Sequence, residues 1–193
     1  MGFIKAFVNQ IHPISEEALN LFKSIIVIQK FTKNETYVSL GEFTDKFYIL
    51  KSGVTRAFTT DEKGKVHIRT LFVPVTTTGS LSALIKNEPS EATYDCLTDC
   101  EMLVGDYPAF LKLAQQHHEL ALFQARILET VFVKVVQRIQ ELTTLNATER
   151  YLKLKKDAPN IDNLIQQYHI ASYLNITPVQ LSRIRKELYS KEK

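Results

Sequence analysis

HIASYLNITPVQLSRIRKEL, residues 169–188, carries apolar side chains at Ile170, Leu174, Ile176, Leu181, Ile184 and Leu188. The spacing is helical but breaks once, near Asn175 and Ile176, so it predicts two short helices and not one. Ala171 is small where a second helix must cross closely, and Asn175 tolerates the left-handed backbone that such a turn needs. The second helix has a complete start signal: Thr177 to cap, Pro178 at the first position with no N–H to lose, and Gln180 to close a capping box. With Leu181, Ile184 and Leu188 turned inward, Thr177, Gln180, Ser182, Arg183, Arg185 and Lys186 are left for the outside. Arg and Gln can pair with base edges, while Lys and Ser suit phosphates. The stretch is therefore expected to be a helix-turn-helix on double-stranded DNA. The competing reading is a plain helical hairpin with a basic, solvated face.

The charge distribution favours the first reading. The chain has 193 residues and a net charge of +3. Residues 1–144 hold 15 Lys/Arg against 16 Asp/Glu, and residues 145–193 hold 9 against 5, so the basic surplus sits with the helix-turn-helix. A footprint on nucleic acid requires that placement. Composition is otherwise ordinary for a globular protein, 45% hydrophobic and 23% charged. No apolar run approaches the ~20 residues of a membrane span, and MGFIKAFVNQIHP has no signal-peptide core, so no membrane partner and a cytoplasmic location are expected. Cys96 and Cys100, in CLTDC, are too few for a thiolate-only metal site and read as reduced structural thiols.

Upstream, Phe7, Ile11, Ile14, Leu19 and Phe22 fall near helical spacing, interrupted by Pro13. Ser15 before Glu16 and Glu17 predicts a fresh helix start. From Ile25 to Asp106 the period drops to two. The segments IIVIQKF, ETYVSL, KFYIL, VTRAFTT, KVHIRTLF, EATYDCL and CEMLVGD, rich in β-branched and aromatic residues, alternate with turn signals. The sharpest hairpin is Asp61-Glu62-Lys63-Gly64. This pattern predicts a sandwich or barrel of about eight strands.

Pro108 and Ala109 open a short helix, and a long one follows from about His118 to Leu142. It carries two apolar stripes: Leu120, Phe123, Ile127, Val131, Val135, Ile139 and Leu142, and beside them Leu128, Phe132 and Val136. One packed side needs one stripe, so two stripes predict two partners, the β domain and a second copy of the chain. The dimer seam is expected at Leu120, Phe123, Ile127, Val131, Val135 and Ile139. Asn146 with Glu149 starts the next helix, Ala158-Pro159-Asn160 ends it, and a short piece with Ile161, Leu164, Ile165 and Tyr168 leads into the helix-turn-helix. Only Tyr189 to Lys193 follow, too few for a wing. The expected class is α+β, divided as 1–116 sensor β-roll with N-terminal helices, 117–144 dimerisation helix and 145–193 DNA-binding domain.

This order of parts resembles the Crp/Fnr family of cyclic-nucleotide-type bacterial transcription regulators, in its short-tailed, wingless form. The resemblance is carried by LGEFTDKFYILKSGVTRAF, with Gly41 and Gly53 at the family's turn positions, by ALIKNEPSEATYDCLTDCEMLVGD and by IASYLNITPVQLSRIRKEL. It implies a homodimer on a palindromic promoter site, with the β-roll as sensor and RNA polymerase as the downstream partner. In nucleotide-binding members a Gly-Glu-Leu segment and, about ten residues on, an Arg-Ser/Thr-Ala segment hold the ribose and the cyclic phosphate. Here they read Gly79-Ser80-Leu81 and Glu91-Ala92-Thr93, so the resemblance implies a degenerate pocket at Gly79, Ser80, Glu91 and Thr93. Cyclic AMP or cyclic GMP is not expected as cofactor.

An enzyme is the alternative of another class. His12, His67, His117, His118 and His169 are scattered, with no Ser/Cys/Asp constellation, HExxH pattern or phosphate-cradling Gly-rich loop, so no catalytic or metal-binding residue is assigned. The remaining alternative is a sensing or protein-interaction module that has lost specific DNA binding, against which the intact cap signals and basic face argue.

Overall fold

The computed structural model describes residues 2–191. Two helices open the chain, α1 (Gly2–Ile11) and α2 (Glu16–Ser24), separated at Pro13 as the sequence predicts. The Ser15 hydroxyl accepts from Ala18 N at 3.2 Å and starts α2.

Eight strands follow: β1 (Ile26–Phe31), β2 (Thr36–Val38), β3 (Lys46–Ser52), β4 (Thr55–Thr60), β5 (Val66–Phe72), β6 (Thr76–Thr78), β7 (Thr93–Cys96) and β8 (Cys100–Asp106). They form two antiparallel four-stranded sheets, β1-β8-β3-β6 and β2-β7-β4-β5. The Asp61–Gly64 turn joins β4 to β5, with Gly64 at φ +78° and the Asp61 carboxylate accepting from Lys63 N and Lys65 N, both at 3.0 Å. β6 and the helix α3 (Leu81–Lys86) were not expected from sequence, since three threonines and six residues are too short to show a period.

Between the sheets lies one core, with Phe31, Val38, Tyr48, Leu50, Ala57, Tyr94, Met102 and Val104. Alternation sends Ile49 and Leu103 to the other face of their sheet, where they meet Phe7, Leu19 and Phe22 and the helices α4 (Tyr107–Gln116) and α5 (His118–Thr144). Phe22 packs edge-on to Phe110 and Phe123 at 5.6 and 5.3 Å.

The C-terminal helices are α6 (Ala147–Asp157), α7 (Ile161–Leu164), α8 (Gln167–Tyr173) and α9 (Pro178–Lys191). The Asn146–Glu149 capping box at α6 forms as predicted. Their core, built on Tyr151, Ile161, Ile170, Leu174 and Leu181, is not closed on itself. Val54 and Leu97 of the roll complete it, with Leu71 and Val73 packed at its edge. No helix of the described residues is long and apolar enough to cross a membrane.

Candidate nucleic-acid interface and sensor pocket

α8 and α9 make the predicted turn. Asn175 adopts φ +55°, Ile176 N donates to Ala171 O at 3.0 Å, and Ile170, Ala171, Leu174, Leu181 and Ile184 are buried. Two guanidiniums hold the end of α8: Arg138 of α5 donates to Tyr173 O at 2.5 Å and Arg150 of α6 to Leu174 O at 3.1 Å. Carbonyls that a helix leaves unpaired at its C-terminus are thereby satisfied, and the turn is anchored to two other helices.

The outward residues divide in a way that sequence did not resolve. Ser182, Arg183 and Lys186 are exposed on one side of α9, as expected. Thr177 and Gln180 are exposed but engaged with each other. Gln180 Oε1 accepts from Thr177 N at 2.8 Å, and the Thr177 hydroxyl accepts from Gln180 N at 3.2 Å. Of the Gln180 amide, the NH2 group remains for a base.

Arg185 does not belong to this face. Its side chain is 14% exposed, donates to the Tyr151 hydroxyl at 3.1 Å and forms an ion pair with Asp162. Burial pushes the Tyr151 hydroxyl up to about 12, while Lys155, Tyr151 and Arg185 together hold the Asp162 carboxyl below its ordinary value against the opposing effect of burial. Arg185 ties α9 to α6 and α7. The signal was available: it stands four residues after Leu181 and three before Leu188, on the flank of the apolar stripe.

Val179 was missed. It is exposed at the start of α9, three and four residues before Ser182 and Arg183, where an apolar side chain suits a thymine methyl. Arg183 also borders a groove of about 440 Å³ shared with Asn146, Ala147 and Thr148 at the start of α6.

The four expected pocket residues are engaged in different ways. Gly79 (φ +101°) lies against Tyr48, and a Cβ there would come within 2.9 Å of that ring. Ser80 is buried at the start of α3, and the Thr93 hydroxyl accepts from Leu40 N at 3.2 Å. Glu91 is exposed, 3.9 Å from the Lys86 ammonium, because it precedes β7 in a bend and not in the sheet. Glu91 thus stands at the surface, outside the core between the sheets.

Inside the roll, tyrosines take up the space. The Tyr37 hydroxyl bonds Thr55 and Thr78 at 3.1 and 2.7 Å, its ring lies 4.8 Å from Tyr48 and 6.1 Å from Tyr94, and the Tyr48 hydroxyl donates to Tyr37 O at 3.1 Å. Burial raises the Tyr37 pKa far above its ordinary value, so this hydroxyl stays neutral. Cys96 and Cys100 are free thiols in the same core.

On α5 the expected seam is corrected at Leu120 and Phe123. Leu120 and Phe123 are fully buried within the chain and Ile127 packs beside them, because α1, α2 and α4 cover the first half of the helix. The second half is bare on its apolar side: Phe132, Val135 and Ile139 are 68%, 52% and 56% exposed, with Val136 and Leu142 beside them. Val131 sits between the halves, beside a small cavity.

Residues 28–117 match the family model of the cyclic nucleotide-binding domain. With the long α5 and the C-terminal helix-turn-helix attached to that domain, one description is left. The chain has the Crp/Fnr fold. FixK2 from Bradyrhizobium japonicum superposes with a TM-score of 0.73 at 16% identity, over 87% of this chain and 86% of that one. A proposed Crp/Fnr-family transcriptional regulator from Eubacterium rectale gives 0.69 at 14%, over 92% and 85%. The catabolite activator protein of Thermus thermophilus gives 0.56 at 20%, over 94% and 87%. No curated protein sequence matches the chain. Against this Crp/Fnr frame, the tyrosine-filled roll and the exposed half of α5 are the features that bear on function.

Proposed function

We propose that the protein is a homodimeric, sequence-specific DNA-binding transcription regulator of the Crp/Fnr type, not an enzyme, acting in the cytoplasm with RNA polymerase as its downstream partner. One observation carries this reading: Leu181 and Ile184 clamp α9 from beneath while Val179, Ser182, Arg183 and Lys186 stand free together on its outer side. A solvated helix needs no such fixed presentation, whereas a helix entering the major groove does. The bare apolar stripe on α5 supports dimerisation, since an exposed run of large apolar residues at helical spacing marks a protein contact. Two copies would then offer two recognition helices to a palindrome.

The sensor domain, in this proposal, does not take a cyclic nucleotide in the family's manner. Neither the ribose-binding Glu nor the phosphate-binding Arg is in its place, and Tyr37, Tyr48 and Tyr94 occupy the roll. Selection of bound sequences from a random DNA pool tests the main claim. The expected result is an enriched inverted repeat with half-sites one helical turn apart, about 34–36 Å centre to centre. Weak retention of all sequences alike overturns it. Calorimetry with cyclic AMP and cyclic GMP tests the second claim, and micromolar binding of either overturns it.

A further inference from the structure

One space for a small molecule lies outside the core of the roll. A cavity of about 130 Å³ opens between α1, β6 and the middle of α5. Phe7 and Ile11 of α1 and Ile127 and Val131 of α5 form apolar walls, and Thr76 and Lys134 supply polar groups. The Lys134 Nζ donates to the Thr76 hydroxyl at 2.9 Å, which uses one of its three N–H groups on a neutral acceptor. Desolvation alone lowers its pKa, with no carboxylate acting on it among the described residues. An ammonium at the open side of an apolar cavity, bonded there to a neutral hydroxyl, is complementary to an anion that carries a hydrocarbon part. Size sets the rest, since a benzene-sized molecule fits an apolar cavity of about 150 Å³.

We propose that this cavity binds a short-chain monocarboxylate of about three to five carbons, its carboxylate on Lys134 Nζ and on the Thr76 hydroxyl, which gives up its long 3.4 Å bond to Thr77 O, and its alkyl chain among Phe7, Ile11, Ile127 and Val131. The site adjoins the point where α5 leaves the cover of α1, so its occupant touches the helix that carries the bare apolar stripe. Its role as the effector site of a regulator rests on the function proposed above; the binding itself does not.

Butyrate is the probe, titrated calorimetrically into the full chain, with 1-butanol and butylammonium as uncharged and cationic controls. Butyrate is expected to bind saturably at millimolar concentration or below, and neither control to compete. Lys134→Met should weaken butyrate at least about tenfold, through loss of a charge-assisted bond. Val131→Phe should abolish binding by filling the cavity with Lys134 intact. Transferred magnetisation from butyrate protons to the methyls of Ile127 and Val131 in the wild-type protein locates the ligand without any variant. Absence of saturable binding, equal binding of 1-butanol, magnetisation transfer elsewhere, or folded variants that bind as the wild type would each overturn the proposal. A gel shift on the same sample separates the two claims: DNA bound without butyrate binding sinks only this site, and butyrate bound without DNA binding sinks only the regulator.

Discussion

Arg56 of β4 and His169 of α8 meet across the junction of the β-roll and the helix-turn-helix, the guanidinium donating from Nη1 to His169 Nδ1 at 3.1 Å. The same guanidinium grips Asp95 of β7 through Nε and Nη2 at 2.7 and 2.8 Å and lies 4.1 Å from the centre of the Phe58 ring. Beside it, the Ser172 hydroxyl donates to Val66 O at 2.9 Å and accepts from Ile68 N at 3.1 Å, taking up free groups of the edge strand β5. The first helix of the helix-turn-helix is thus hydrogen-bonded to the sheet of the β-roll.

Arg56→Ala should cost about 3–5 kcal/mol, because it leaves Asp95 buried without its counter-charge. Replacing Arg56 and Asp95 together by apolar residues should cost much less. Denaturant midpoints of the single and double variants check this, and equal losses would mean that packing, not charge, holds the junction.

His169 is pushed down to about 4, first by burial and then by the nearby Arg56 charge, with Asp95 opposing and Lys33 adding. The folded protein keeps the ring neutral, whereas the unfolded chain takes a proton near 6.5. Stability is therefore unaffected above about pH 6.5 and falls as the pH drops from there towards 4, by roughly 3 kcal/mol at most. Urea midpoints between pH 7 and 4 should show this loss in the wild type and less of it in His169→Gln. Parallel profiles for the two would assign the acid loss to other groups.

Among the α9 cations, three different outcomes are expected. Arg183→Ala should cost about 1–3 kcal/mol of specific binding and relax sequence preference at one position. Lys186→Ala should weaken all sequences alike and reduce the salt dependence. Arg185→Ala should instead lower the melting temperature, since it strands Asp162. Gel shifts at two salt concentrations and thermal melts separate the three, and a specificity change in Arg185→Ala with unchanged stability would contradict the geometry.

On α5, position decides the phenotype. Phe132→Glu or Ile139→Glu should leave the fold intact and yield monomers, by setting like charges against each other in an apolar seam. Leu120→Ala should destabilise each chain by about 2–5 kcal/mol whatever its oligomeric state. Light scattering beside denaturant unfolding checks both, and a wild type that is monomeric at high concentration would remove the seam.

Short-range features were legible in the sequence because their causes are local. Helix starts at Ser15, Asn146 and Thr177, the Asp61–Gly64 hairpin, the left-handed Asn175 and the alternation that makes seven of the strands each follow from residues within a few positions of one another. The exposed trio Ser182, Arg183 and Lys186 follows from helical periodicity in the same way. Periodicity alone, however, could not say which apolar stripe of α5 the chain itself covers. That depends on α1 and α2, more than a hundred residues earlier, ending over Leu120 and Phe123 and leaving Phe132 onward bare. Nor could it bring Tyr37, Tyr48 and Tyr94 together inside the roll, or name Asp162 of α7 as the partner that holds Arg185. Each of these is a contact between residues distant in the chain, chosen by shape and charge when the elements pack, and only the tertiary structure decides it.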